Sequence, residues 1–109
     1  MTIPETETFN GTFPFAPHFF DGHGFRQHYV DEGPRDGEVI VCLHGEPTWG
    51  YLYRNFIPKL SERYRVVVPD HMGFGKSETP ADSVYTLQTH VENLEALIDF
   101  LGLDDITFV

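Results

Sequence analysis

Two short segments hold the residue types that chemistry needs, and each follows an apolar run. The first is His44-Gly45-Glu46-Pro47-Thr48-Trp49. Gly45 lets the backbone turn with no side chain in the way, which would leave the following N–H groups free to face a developing negative charge. That is the outline of an oxyanion hole; the same residues also fit an ordinary strand-to-helix turn with a packed tryptophan.

The second segment is Asp70-His71-Met72-Gly73-Phe74-Gly75-Lys76-Ser77. Its Gly-Lys-Ser resembles the end of a phosphate-binding loop, but that motif needs a glycine where Asp70 stands. A dinucleotide fingerprint fails too, because its third glycine would fall on Glu78. What remains is a tight turn in which Asp70 is expected to bond backbone N–H groups nearby. The histidines His18, His23, His28, His44, His71 and His90 show neither an HExxH pair nor a clustered Cys/His spacing, so no metal is expected. His90, off the apolar stripe of its helix, is expected to be solvated.

The elements that must position these segments are read from apolar periodicity. Residues Thr12 to Phe20 and Gly24 to Val30 are aromatic-rich and extended, and Asp21-Gly22 between them signals an antiparallel hairpin. Asp31 to Glu38 carries enough Gly and Pro to be a loop. Val39 to Leu43 is continuously apolar and β-branched, the pattern of a central strand covered on both faces. Leu52, Phe56 and Leu60 predict one helical stripe between Tyr51 and Glu62, with Pro58 kinking or shortening it. Arg65 to Val68 repeats the buried-strand pattern and ends at Pro69-Asp70. Leu87, Val91, Leu94, Ile98 and Leu101 share one face of a second helix, capped by Thr86 and ended by Gly102. Ile106 to Val109 begins a further strand. The alternation implies an α/β fold, with antiparallel opening strands followed by parallel strands and crossover helices. Ligands of such sheets bind beyond the carboxyl ends of the strands, which is where both segments lie.

Composition narrows the partners. A net charge of −10 opposes a broad cationic surface for nucleic acid or anionic lipid. Small or neutral substrates suit it better. The single cysteine, Cys42, cannot form an internal disulfide and is expected to be a buried hydrophobe. The acidic N-terminus lacks a signal peptide's basic region and no apolar run is long enough to span a membrane, so a cytoplasmic placement is expected.

His-Gly-Glu-Pro-Thr-Trp, followed by Gly50-Tyr51-Leu52-Tyr53-Arg54 and then by Asp70 to Ser77, is similar to the corresponding stretches of haloalkane dehalogenases, in order along most of the chain. His-Gly and Gly-x-Gly-x-Ser are shared by many α/β-hydrolases, including epoxide hydrolases and esterases; Glu-Pro-Thr-Trp is narrower. The resemblance implies the N-terminal part of an α/β-hydrolase fold, residues 1–109 being a partial core domain that ends in the strand before the expected nucleophile, with the cap domain absent. It further implies that Glu46 supplies an oxyanion-hole N–H and that Trp49 helps wall the substrate pocket. The reaction would be hydrolysis of a carbon–halide bond in a small haloalkane through a covalent alkyl-enzyme, with water as co-substrate and no cofactor. Nucleophile, base and acid would lie downstream, so the chain alone is expected to be inactive. An epoxide hydrolase, a serine esterase or a non-catalytic interaction module are the alternatives.

Overall fold

The computed structural model describes residues 3–22, 24–45, 48–83 and 85–109. Strands β1 (His18–Phe20), β2 (Gln27–Glu32), β3 (Val39–Val41), β4 (Arg65–Pro69) and β5 (Thr107–Phe108) form one sheet in the order β1-β2-β4-β3-β5. β2 is antiparallel to β1 and β4, while β3 is parallel to β4 and β5, so the expected change from antiparallel to parallel pairing is present. Leu43 N–H donates to Val109 O and Val109 N–H to Val41 O, which carries the β3–β5 pairing past the last strand residue.

The continuous apolar runs are explained by two cores. Alternate side chains point to opposite faces of a strand. Ile40, Cys42, Val66, Val68 and Val30 face one cluster with Phe13, Tyr53 and Ile57, whereas Val39, Val41, Val67 and Tyr29 face another with Leu97 and Leu103. A short helix, α1 (Ile57–Leu60), covers the first, and α2 (Leu87–Leu101) the second. Cys42 is buried as expected, and burial pushes its thiol up to about 11, which keeps it protonated.

Several element boundaries differ from the sequence reading, most of all in β1, β2 and the first helix. Of Thr12 to Phe20 only the last three residues pair, because Pro14 and Pro17 cannot donate to a ladder; Phe13 turns inward instead and is fully buried. β2 begins at Gln27 and runs into the expected loop as far as Glu32, since Asp31 and Glu32 pair with Val67 and Val66 and Arg65 grips Asp31 through two bonds of 3.0 and 2.8 Å.

The expected helix over Tyr51 to Glu62 is a 3-10 turn, Gly50–Tyr53, followed by α1, with Pro58 in the first turn of α1, where its missing N–H costs nothing. The tighter turn rotates the buried face: Leu52 and Phe56 are 50% and 55% exposed, whereas Ile57 is 1% exposed and Tyr53 is buried. In α2, Thr89 N–H donates to Thr86 Oγ1 at 3.2 Å and Gly102 adopts the left-handed region, so both ends are as read. Its inward face is displaced toward the C-terminus: Leu97 is the most buried residue and Leu87 is 81% exposed.

Asp70, at the end of β4, ties these parts together. Its carboxylate accepts the N–H of Gly50 (2.7 Å), the N–H of Lys76 (3.0 Å) and Nδ1–H of His28 (2.9 Å). Its carbonyl accepts Ser77 Oγ (2.7 Å) and Gln27 Nε2 (3.2 Å). The backbone bonds expected of Asp70 are present and are joined by a buried histidine. Gly75 is needed beside it: φ is +54°, and a Cβ would lie 2.4 Å from Asp70 Oδ2 and 2.7 Å from the Trp49 ring. Replacing Asp70 by alanine would strand two backbone donors and a buried imidazole, and is expected to cost roughly 3–5 kcal/mol. Urea denaturation measures this, and a loss below about 1 kcal/mol would mean that water or neighbouring groups replace the carboxylate.

Candidate functional site

The segments leaving β3 and β4 approach each other beyond the carboxyl ends of the parallel strands, under the first turns of α2. Between them lies a cleft of about 450 Å3. Leu43, Phe74, Leu87, Val91 and Leu94 give it apolar walls, and His44, His71 and His90 its polar lining. The exposed Leu87 and the half-exposed Val91, which the sheet does not cover, are therefore rim residues of this cleft.

The imidazoles lie in series, with successive rings tilted by 49° and 48°. Ring centroids are 4.3 Å apart for His44 and His71 and 5.1 Å for His71 and His90, and Phe74 lies 5.4 Å from His44. His44 is buried, with Nδ1 2.9 Å from Gly45 O and Nε2 accepting the N–H of His71 at 2.9 Å. Burial holds its pKa below the ordinary value. His71 is pushed down to about 4, first by burial and then by the neighbouring His44 and His90, with Asp70 acting in the opposite sense. Both rings are neutral at pH 7. Although three imidazoles meet here, no group of three or more His, Cys, Asp or Glu side chains among the described residues is arranged to hold a metal ion.

His90 corrects the sequence reading. It is partly buried rather than fully solvated: its Nδ1 is buried without a partner among the described residues, because the start of α2 leans over the β4 turn and a position off the leucine stripe still meets protein. His71 and His90 were not singled out as site residues. The rule that ligands bind beyond strand ends pointed to the segment carrying His71, but nothing in the sequence brings His90 to it.

Of the residues singled out, Glu46 lies outside the described residues, together with Pro47 and His23. Gly45 stays out of the left-handed region, and a Cβ there would meet nothing within 4 Å. The turn is closed instead by its carbonyl, which accepts the Thr48 N–H at 3.1 Å and Thr48 Oγ1 at 2.6 Å. Trp49 does not line the cleft. Its ring packs against Phe13, Tyr51 and Phe9 at 5.0, 5.6 and 5.7 Å, and it borders a shallower depression with Thr48, Leu52 and Arg54. Lys76, which the rejected phosphate-loop reading would have used, is buried and donates to the carbonyls of Glu5 and Glu7 at 2.8 Å each.

The mixed sheet, the helices on its two faces and a cleft beyond its parallel strands define an α/β-hydrolase fold, and residues 38–109 match that family's model. The chain belongs to the α/β-hydrolase family. Within it, the resemblance to haloalkane dehalogenases is borne out. A haloalkane dehalogenase of Mycobacterium marinum is 47% identical over 102 residues, covering 87% of this chain and 34% of that protein. The tetrameric haloalkane dehalogenase of Paraglaciecola agarilytica superposes with a TM-score of 0.89 at 42% identity, over 99% of this chain and 39% of that one. A cis-3-alkyl-4-alkyloxetan-2-one decarboxylase of Xanthomonas campestris is 46% identical over 99 residues, 84% of this chain and 33% of its own. The chain thus spans about a third of the length of the curated relatives it matches. No helix among the described residues is long and apolar enough to cross a membrane.

The histidine cluster makes stability depend on pH. A histidine whose folded pKa is depressed binds its proton more readily in the unfolded chain, so stability is full above the unfolded value, about 6.5, and is lost as pH falls toward the folded one. For His71 that window runs down to about 4. Melting temperature is expected to fall across it, and to fall less steeply in His71→Leu. Equal slopes in the two proteins, followed by circular dichroism, would place the acid sensitivity elsewhere.

Proposed function

We propose that these 109 residues are one partial α/β-hydrolase core domain, and that the protein containing them hydrolyses carbon–halide bonds of small haloalkanes with water and without a cofactor. The observation that carries the reading is the cleft: apolar walls, with His44 and His71 neutral at pH 7, at the strand ends flanking the His-Gly-Glu-Pro-Thr-Trp turn. Such a lining suits a small uncharged substrate. The similarity to the dehalogenases of Mycobacterium and Paraglaciecola supports the same choice.

In this reading Glu46 offers its N–H to developing negative charge, and Trp49, packed on Phe13 and Tyr51, holds that turn rather than walling the cleft. The nucleophile that forms the alkyl-enzyme, the base that activates water and a covering cap come from residues outside the 109. A cytoplasmic placement fits a lone buried cysteine that requires no oxidising compartment. A second reading keeps the fold and changes the bond: the Xanthomonas relative is a decarboxylase of an oxetanone at nearly the same identity. Epoxide and ester hydrolysis remain within the same architecture.

Halide release from short bromo- and chloroalkanes separates these readings. The protein of its relatives' length is expected to release halide, and the 109-residue chain none above background, because an oxyanion hole without nucleophile or base retains little of the rate gain. Carbon dioxide from a β-lactone without halide release would assign the second reading. Glu46→Pro, which removes the N–H, is expected to lower kcat roughly 100-fold or more, and Glu46→Ala, which keeps it, by less. Equal losses would mean that the carboxylate rather than the N–H matters.

A further inference from the structure

Gly45 and His71 belong to turns that follow different strands, and the buried imidazole of His44 is bonded to both. We propose that His44 is a proton-gated latch: fixed as its Nδ1–H tautomer between Gly45 O and the His71 N–H, it sets the separation of the two turns that floor the cleft, and a second proton opens it.

The tautomer follows from the partners. Gly45 O can only accept, so Nδ1 must donate; the backbone N–H of His71 can only donate, so Nε2 must accept. The opposite tautomer would turn a lone pair toward a carbonyl oxygen and a proton toward an N–H, losing both bonds at once. Protonation at Nε2 has the second of these effects: the atom that held His71 becomes a donor facing a donor, at a position that is 4% exposed and has little water to absorb the conflict. The turn carrying His71 must then move, or the ring must swing out past Phe74.

The groups around the latch are few. From the β4 side, Asp70 favours a charged His44; from α2, His90 opposes it, and the His71 ring lies tilted against it, uncharged at pH 7. Tyr85, which also borders the cleft, is tied by its hydroxyl to Pro80 O at 2.6 Å. A charge on His90 opposes a proton on His44, and a charge on either opposes one on His71. The latch does not depend on which reaction the protein catalyses, and its test uses no substrate.

The test is nitrogen-15 NMR of the histidine rings, with amide exchange at His71 and at Val67 in the middle of β4 as reference. At neutral pH the spectrum is expected to show His44 protonated at Nδ1 alone. On acidification, the His71 amide is expected to lose protection roughly five- to tenfold before Val67 does, the size of one lost hydrogen bond. His44→Gln keeps an acceptor that does not titrate, and is expected to retain protection at His71 without the pH dependence. An Nε2–H tautomer in the unmodified protein would overturn the proposal even if the variant failed to fold. So would loss of protection at His71 and Val67 together, or an unchanged pH dependence in His44→Gln.

Discussion

Everything near the cleft is referred to one buried carboxylate. Asp70 sits at the point where β4 leaves the sheet, and its partners come from β2, from the 3-10 turn and from the glycine-rich turn that follows it. A fully buried carboxylate is tolerated only when such donors surround it. The constraint therefore works in both directions: the turns hold the charge, and the charge fixes the turns. Gly75 carries no side chain because the carboxylate and the Trp49 ring occupy the space where one would go. Through Gly50, the same carboxylate anchors the far end of the segment that begins at His44.

The arrangement divides labour between charge and neutrality. Asp70 lies behind the strand ends, surrounded by donors, while the surface it supports presents imidazoles and hydrocarbon. Placing the charge one layer back keeps the cleft free of a fixed anion without giving up the rigidity that a charged hydrogen-bond centre supplies. The aromatic packing of Trp49, Phe13 and Tyr51 does the same by different means on the other side of the turn.

Much of this was legible in the residues. Val39 to Leu43 and Arg65 to Val68 read as doubly covered strands because their side chains really do serve two cores, and Thr86 and Gly102 mark helix ends by local chemistry that needs no tertiary partner. Asp70 was legible as a backbone acceptor, but not as a hub, because Gly50 and His28 reach it only through the fold. The Leu52, Phe56 and Leu60 stripe misled because periodicity assumes one helix type throughout, and four residues of tighter turn rotate everything after them. His90 misled for a related reason: a helix face tells which residues meet the sheet, not which meet a neighbouring loop. The motif around Glu46 gave the family by resemblance, which no count of periodicity would have supplied.

The N-terminal arm adds a constraint in time. Ile3 N–H bonds to Gly75 O, the carbonyls of Glu5 and Glu7 receive the Lys76 ammonium across 71 and 69 residues of sequence, and Phe9 and Phe13 pack on Trp49. Residues 3–13, made before the glycine-rich turn, thus acquire their partners only when that turn has been made, and closing so long a loop is a slow, entropically costly step. Until then Phe9 and Phe13 are exposed to any other apolar surface in reach. An N-terminal fusion or a short deletion here would act on the underside of the cleft and on the order of assembly, although the arm lies far from the cleft in sequence.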